Sequence, residues 1–90
     1  MQSGGATHRF VMRFTSYFVD NVLPRRAYLR TEWIEDVLAE PEWVEPQSDG
    51  RIRYWRYIPE LGRALRVVTL EDGITVHNAF PDRRFRRPAR

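Results

Sequence analysis

The sequence predicts an α+β domain in which two helices pack on one face of a three- to four-stranded antiparallel sheet. Three observations predict it. The stretch Arg51 to Phe80 alternates apolar and polar residues and is broken by two turn signals, Pro59 to Arg63 and Glu71-Asp72-Gly73. Period-two alternation is the mark of strands, and Asp-Gly between β-branched runs suits a two-residue hairpin loop with positive φ. Second, Thr31 to Glu40 places Trp33, Ile34, Val37 and Leu38 on one stripe, the pattern of a helix lying on a sheet. Third, 42% hydrophobic and 13% aromatic residues favour a packed core over a disordered chain.

Ninety residues suit one domain. A chain of that size buries about 60 to 65% of its unfolded surface. There is no cysteine, which removes disulfides, thiolate metal sites and cysteine catalysis. No apolar run approaches the ~20 residues of a membrane helix, and no signal-peptide core is present. The expectation is a bacterial cytoplasmic protein with no membrane partner. The net charge of +3 is unevenly spread: residues 82–90 hold five arginines and one aspartate, so the rest of the chain is slightly acidic. All fifteen basic residues are arginine, which is either a bias of the coding sequence or selection for guanidinium forks that grip phosphate.

Taken in order, residues 1–8 are polar and glycine-containing and are expected to form a flexible arm. His8 at its end reads as solvated. Residues 9–82 make the domain. Arg9 to Thr15 suits a short strand or the lead-in to a helix. Ser16 to Leu23 reads as the first helix, capped by Thr15 or Ser16, with Phe18, Val19, Val22 and Leu23 as its apolar stripe. Pro24 ends or kinks it, and a basic connection through Arg25, Arg26, Tyr28 and Arg30 follows. The second helix has Thr31 as N-cap, and Glu32, Glu35 and Asp36 in its first turns, where the helix dipole favours negative charge. Pro41 stops it. Trp43 to Pro46 adds an edge strand, Ser48-Asp49-Gly50 a turn, and the three-strand unit comes next. Residues 83–90 form a basic tail with one aromatic.

Taking Asp72-Gly73 as the loop pairs Leu70 with Thr75, Val68 with His77 and Arg66 with Ala79. Pairing Ile58 with Ala64 in the first hairpin sets Arg56 opposite Arg66 and Tyr54 opposite Val68. One face then collects Trp55, Tyr57, Leu65, Val67, Val76 and Phe80 as core. The other collects Ile52, Tyr54, Arg56, Arg66, Val68, Thr75 and His77. A slip of one residue exchanges the faces of a strand.

The second face holds the candidate chemistry. Arginines can stabilise charge developing on a phosphate, a histidine can move the proton of a ribose 2′-hydroxyl, and a tyrosine can stack on a base. Arg56, Arg66 and His77 are therefore candidate catalytic residues of a metal-free ribonuclease. Tyr54, Arg83, Arg84, Arg86 and Arg87 are candidate nucleic-acid contacts. The alternative is structural: His77 as a satisfied strand residue and the arginines paired with Glu32, Glu35 or other acids. No metal and no cofactor is expected. The two histidines are far apart in sequence, no carboxylate cluster offers three ligands, and no glycine-rich phosphate loop occurs.

The segments T-E-W-I-E-D-V-L-A-E-P-E, D-G-R-I-R-Y-W and L-R-V-V-T-L-E-D-G-I-T-V-H-N-A-F-P-D-R, over residues 12–86, resemble a small bacterial protein family of uncharacterised function. That family is similar in layout to the RelE/ParE-like toxins. The resemblance implies helices on one face of an antiparallel sheet. It also implies a toxin component acting on RNA without metal, with Arg56, Arg66 and His77 as candidates and an antitoxin protein as partner. The chain departs from those ribonucleases in lacking their lysine-rich helix; its best helix is acidic. The alternative function is a non-catalytic module binding protein or nucleic acid through the same surface.

Overall fold

The computed structural model describes residues 11–86. The sequence-predicted flexible arm, His8 and Arg87 lie outside that range. Five strands form one sheet: β1 (Arg13–Phe14), β2 (Trp43–Pro46), β3 (Ile52–Ile58), β4 (Arg63–Thr69) and β5 (Thr75–Asp82). Their spatial order is β1-β5-β4-β3-β2, and β1 runs parallel to β5 while all other pairs are antiparallel. One α-helix, α1 (Thr31–Ala39), lies on β3 and β4.

The sheet is thus five-stranded and mixed, with a single regular helix among the described residues, which corrects the expected two helices on a three- to four-stranded antiparallel sheet. The expected first helix begins α-helically at Ser16 but becomes a five-residue π-helical turn, Phe18–Val22, followed by a 3-10 turn, Pro24–Arg26. Pro24 has no N–H to continue the ladder. Leu23 N–H reaches back five residues to Phe18 O at 2.9 Å. Val19, Asp20, Asn21 and Val22 are all weak helix formers, so little resists that widening. Phe18 and Val22 are buried, whereas Val19 is exposed. Thr15 Oγ1 caps the segment by accepting from Phe18 N–H at 3.0 Å. Strand β1 escaped a firm assignment because it is two residues long and pairs across more than sixty positions, with Arg13 beside Thr75 and Phe14 beside Val76.

Helix α1 starts one residue earlier than expected, at the residue expected to be its cap. Arg30 is the N-cap, in extended conformation and without a side-chain cap bond, and Thr31 is the first helical residue. Ile34, Val37 and Leu38 are fully or nearly buried, and Trp33 packs against the same core. At the other end Arg56 Nη1 donates to Glu40 O at 2.8 Å, satisfying one of the carbonyls a helix C-terminus leaves open.

Both hairpins differ from the expected register. In the first, Gly62 at φ +67° closes a four-residue loop, with its N–H bonded to Ile58 O, so Ile58 pairs with Arg63. That is one residue from the expected pairing, and it exchanges the faces of β3 against β4. In the second, Gly73 alone has positive φ and bonds back to Leu70 O, so Asp72-Gly73 is not a two-residue loop needing positive φ at both positions. Asp72 holds the turn by accepting from the N–H groups of Ile74 and Thr75. Thr69 pairs with Val76 as expected, but a bulge follows and Val68 pairs with Asn78, leaving His77 as the extra residue.

The helix-covered face therefore carries Tyr54, Arg56 and Ile58 from β3, Leu65 and Val67 from β4, and Val76 and Ala79 from β5. Ile58, Leu65, Val67, Val76 and Ala79 join Phe18, Val22, Leu29, Ile34, Val37 and Leu38 in one core. The open face carries Arg53, Trp55, Tyr57, Ala64, Arg66, Val68, Asn78, Phe80 and Asp82. Trp55, Tyr57 and Phe80, expected in the core, lie on this open side.

Candidate functional site

The open face is built from cross-strand rungs. One rung sets Trp55, Arg66 and Phe80 side by side, and the next but one sets Tyr57, Ala64 and Asp82 side by side. Neighbours on one face of a sheet are close enough for their side chains to interact. In the first rung the Arg66 guanidinium carbon lies 5.5 Å from the Trp55 ring centre and 4.6 Å from that of Phe80. Arg26 reaches Phe80 from the 3-10 turn, 5.6 Å from the ring centre, and its Nη1 donates to Asn78 Oδ1 at 3.3 Å. Beyond Trp55 the chain turns back, and Phe85 stacks on the indole with centroids 4.9 Å apart and planes 13° apart. Guanidinium groups and aromatic rings thus alternate across the sheet, a favourable cation–π arrangement that closes the face as a small second packing layer. Trp55 is only 4% exposed as a result.

Asp82 locks this layer. Its Oδ2 accepts from Trp55 Nε1 at 3.0 Å and from Arg66 Nη2 at 3.2 Å, and its Oδ1 accepts from Arg84 N–H. Burial raises the pKa of this carboxyl. The bonds from Trp55 and Arg84 and the Arg66 charge outweigh that and hold it below the ordinary carboxylate value.

In the second rung the middle residue is Ala64. Its methyl group leaves a dip between the taller side chains beside it. A concavity of about 520 Å³ opens there, lined by Glu42, Tyr57, Arg63, Arg83, Phe85 and Arg86 among others. Tyr57 is 50% exposed, so its ring is offered to solvent. The guanidinium groups of Arg63 and Arg83 are paired with no carboxylate among the described residues. Arg86 Nη1 is tied to the carbonyls of Arg83 and Phe85, which holds the side chain against the tail. An exposed ring among three guanidinium groups can stack on a planar base and grip the phosphates beside it.

The candidates named from sequence fall in different places. Arg56 lies on the helix-covered side, bonded to the end of α1 beside Asp36 and Ala39. Tyr54 packs against the core, and its hydroxyl lies within reach of Thr69 Oγ1. Arg66 is on the open face but held in an ion pair with Asp82. His77 stands farther along β5 in the bulge. Its Nδ1 lies 3.2 Å from Thr15 Oγ1, and its ring stacks on Tyr17 at 4.9 Å. Because Thr15 Oγ1 already accepts from Phe18 N–H, its hydroxyl proton is available for the imidazole nitrogen. Burial, and secondarily the Arg51 charge, push the His77 pKa below 6.5. Arg56, Arg66 and His77 do not converge. Arg83 and Arg86 do meet, at the concavity, and Arg84 lies beside them in sequence with its side chain exposed.

Tyr57 and Arg63 complete that concavity and were not among the candidates named from sequence. The signal that points to them is the small Ala64 between larger strand residues, which becomes informative once the register is known. Among the described residues no group of three or more His, Asp or Glu side chains is placed to hold a metal ion. No helix among them is long and apolar enough to cross a membrane. Comparison of the chain with protein-family models, curated proteins and solved structures gives no match.

Proposed function

We propose that the protein is a non-catalytic binding module for single-stranded nucleic acid, RNA in the first instance, and that the concavity over Ala64 is its binding site. The observation that carries this reading is one exposed aromatic ring, Tyr57, set among Arg63, Arg83 and Arg86 on an open sheet face. Tyr57 stacks on a base, Arg63 and Arg83 contact flanking phosphates, and Arg86 adds positive charge at the rim. Recognition of this kind is tolerant of sequence because every base presents a π-face.

The test is fluorescence anisotropy with a labelled ten-nucleotide oligouridylate, titrated at several salt concentrations. The two phosphate contacts predict that log K falls with log salt with a slope of about −1.4 for a single strand. Tyr57→Ala weakens binding by roughly 5- to 150-fold, the range set by loss of one stacked base. Arg63→Ala lowers the salt slope by about one contact. Binding that is absent at low salt, or that ignores both substitutions, rules the site out.

His77 supports a second reading, the metal-free ribonuclease of a toxin–antitoxin pair. An imidazole kept neutral by its surroundings, beside the exposed Tyr17 ring and within the field of Arg51, suits a general base acting on a 2′-hydroxyl. In that reading an antitoxin partner masks the open face. Induced expression in a bacterial host, wild type beside His77→Ala, separates the readings. Growth arrest with RNA cleavage in the wild type alone favours the ribonuclease; normal growth of both at equal protein levels favours the binding module.

A further inference from the structure

Trp55 has the best stacking surface on the open face, yet another ring of the same chain covers it. The indole is fixed in place by its Nε1 bond to Asp82 and by the Arg66 guanidinium. Its cover, Phe85, is fixed much less firmly. The chain leaves β5 at Asp82, turns through Arg83 and Arg84, and returns Phe85 over the indole. Within that turn the bonds are Phe85 N–H to Asp82 O at 3.3 Å, at the long end for such a bond, Arg84 N–H to Asp82 Oδ1 at 3.1 Å, and Arg86 Nη1 to the carbonyls of Arg83 and Phe85; all of them lie within residues 82–86, and none ties Phe85 to another strand. Arg83, Arg84 and Arg86 around it are exposed. Phe85 also forms a wall of the concavity over Ala64. The same ring thus belongs both to the wall of the basic hollow and to the stack on the indole.

We infer that Phe85 is an internal stand-in for a nucleobase, and that the segment 83–86 is a displaceable cover over a second stacking site on Trp55. The stacked, near-parallel geometry of the two rings is the one a base adopts on an indole. A base entering from the concavity replaces Phe85, while Arg83 and Arg86, carried on the same segment, follow the phosphates of the incoming strand. Tyr57 and Trp55 then stack successive bases. The inference rests on the nucleic-acid reading of this site and adds the means by which the site is gated. A closed cover lowers apparent affinity in proportion to the fraction of molecules that are open. Removing the competing ring therefore strengthens binding rather than weakening it.

The experiment uses the full chain with Trp33→Phe and Trp43→Phe, so that Trp55 is the one remaining indole. Anisotropy of a labelled ten-nucleotide oligouridylate reports binding, and Trp55 emission with acrylamide quenching reports whether the indole is covered. Phe85→Ala is expected to raise acrylamide quenching without ligand and to tighten binding roughly 2- to 10-fold, the worth of one aromatic pair. Saturating oligonucleotide is expected to quench Trp55 emission in the parent protein. Phe85→Leu, which keeps apolar bulk over the indole, is the control for folding and should stay between the two. Weaker binding by Phe85→Ala would make Phe85 a partner of the ligand and overturn the inference. Binding with no change in Trp55 emission would overturn the displacement while leaving the nucleic-acid reading intact. No binding by any variant would remove both.

Discussion

A single carboxylate, Asp82, holds the indole of Trp55, the guanidinium of Arg66 and the first residues of the C-terminal segment at once. Its side chain and that of Arg66 are 12% and 23% exposed, so the pair is partly withdrawn from water and each group depends on the other. Asp82→Asn keeps the size and removes the charge. It is expected to lower unfolding free energy at pH 7 by about 1.5 to 3 kcal/mol, the range for hydrogen bonds to charged groups. The pH dependence follows from the depressed folded-state pKa. The stabilisation is present above the ordinary value of 3.8 and is lost as pH falls through the lower, folded-state value. Urea unfolding of both proteins at pH 7 and near pH 3 checks this: the gap between them should narrow in acid. A gap that is equal at both pH values would mean that the charge of Asp82 does not support the layer.

Turns and bulges decide which residues share a face, and they do so through few atoms. Gly62 and Gly73 both have positive φ, at +67° and +74°, where a side chain on an L-residue costs about 1 to 2 kcal/mol. A methyl group at Gly62 meets open space, whereas at Gly73 it would lie 3.2 Å from the Tyr54 hydroxyl. Gly73→Ala should therefore destabilise more than Gly62→Ala, as read from the midpoints of denaturant unfolding. The reverse order would show that the Tyr54 ring moves aside freely. The bulge at His77 acts on the same scale. It turns Ala79 into the core and Phe80 outward, and it brings the imidazole to Thr15, the residue that caps the π-helical turn.

At the scale of the molecule, the sheet has two unequal packing layers. The larger lies under α1 and the π-helical turn, with Leu65, Val67, Val76 and Ala79 fully buried. The smaller is the aromatic and guanidinium layer on the open face, finished by Phe85. Leu65→Ala removes a fully buried side chain at the centre of the larger layer and should cost about 2 to 5 kcal/mol. Phe85→Ala removes a half-buried ring at the edge of the smaller one and should cost less than Leu65→Ala. Thermal unfolding of the two variants beside the wild type checks the ranking. Equal losses would mean that the open face contributes to stability as a full core does.

Part of the fold follows from short-range rules. The amphipathic stripe of α1, the alternation of β3 to β5, the edge strand Trp43–Pro46 and the stop at Pro41 all follow from spacing and from residues with restricted backbones. The basic character of the tail is a matter of composition. The remaining features depend on groups far apart in the chain. Parallel pairing of β1 joins Arg13 to Thr75, which no local pattern encodes. Two one-residue differences, at the Gly62 loop and the His77 bulge, exchanged faces that alternation alone assigns only up to a shift. That exchange placed Arg56 at the end of α1, Tyr54 against the core, and Tyr57 beside Arg63 and the tail arginines. The residue types suited to binding phosphate and base could be read from the chain; which of them stand together was set by register and by the turn after Asp82.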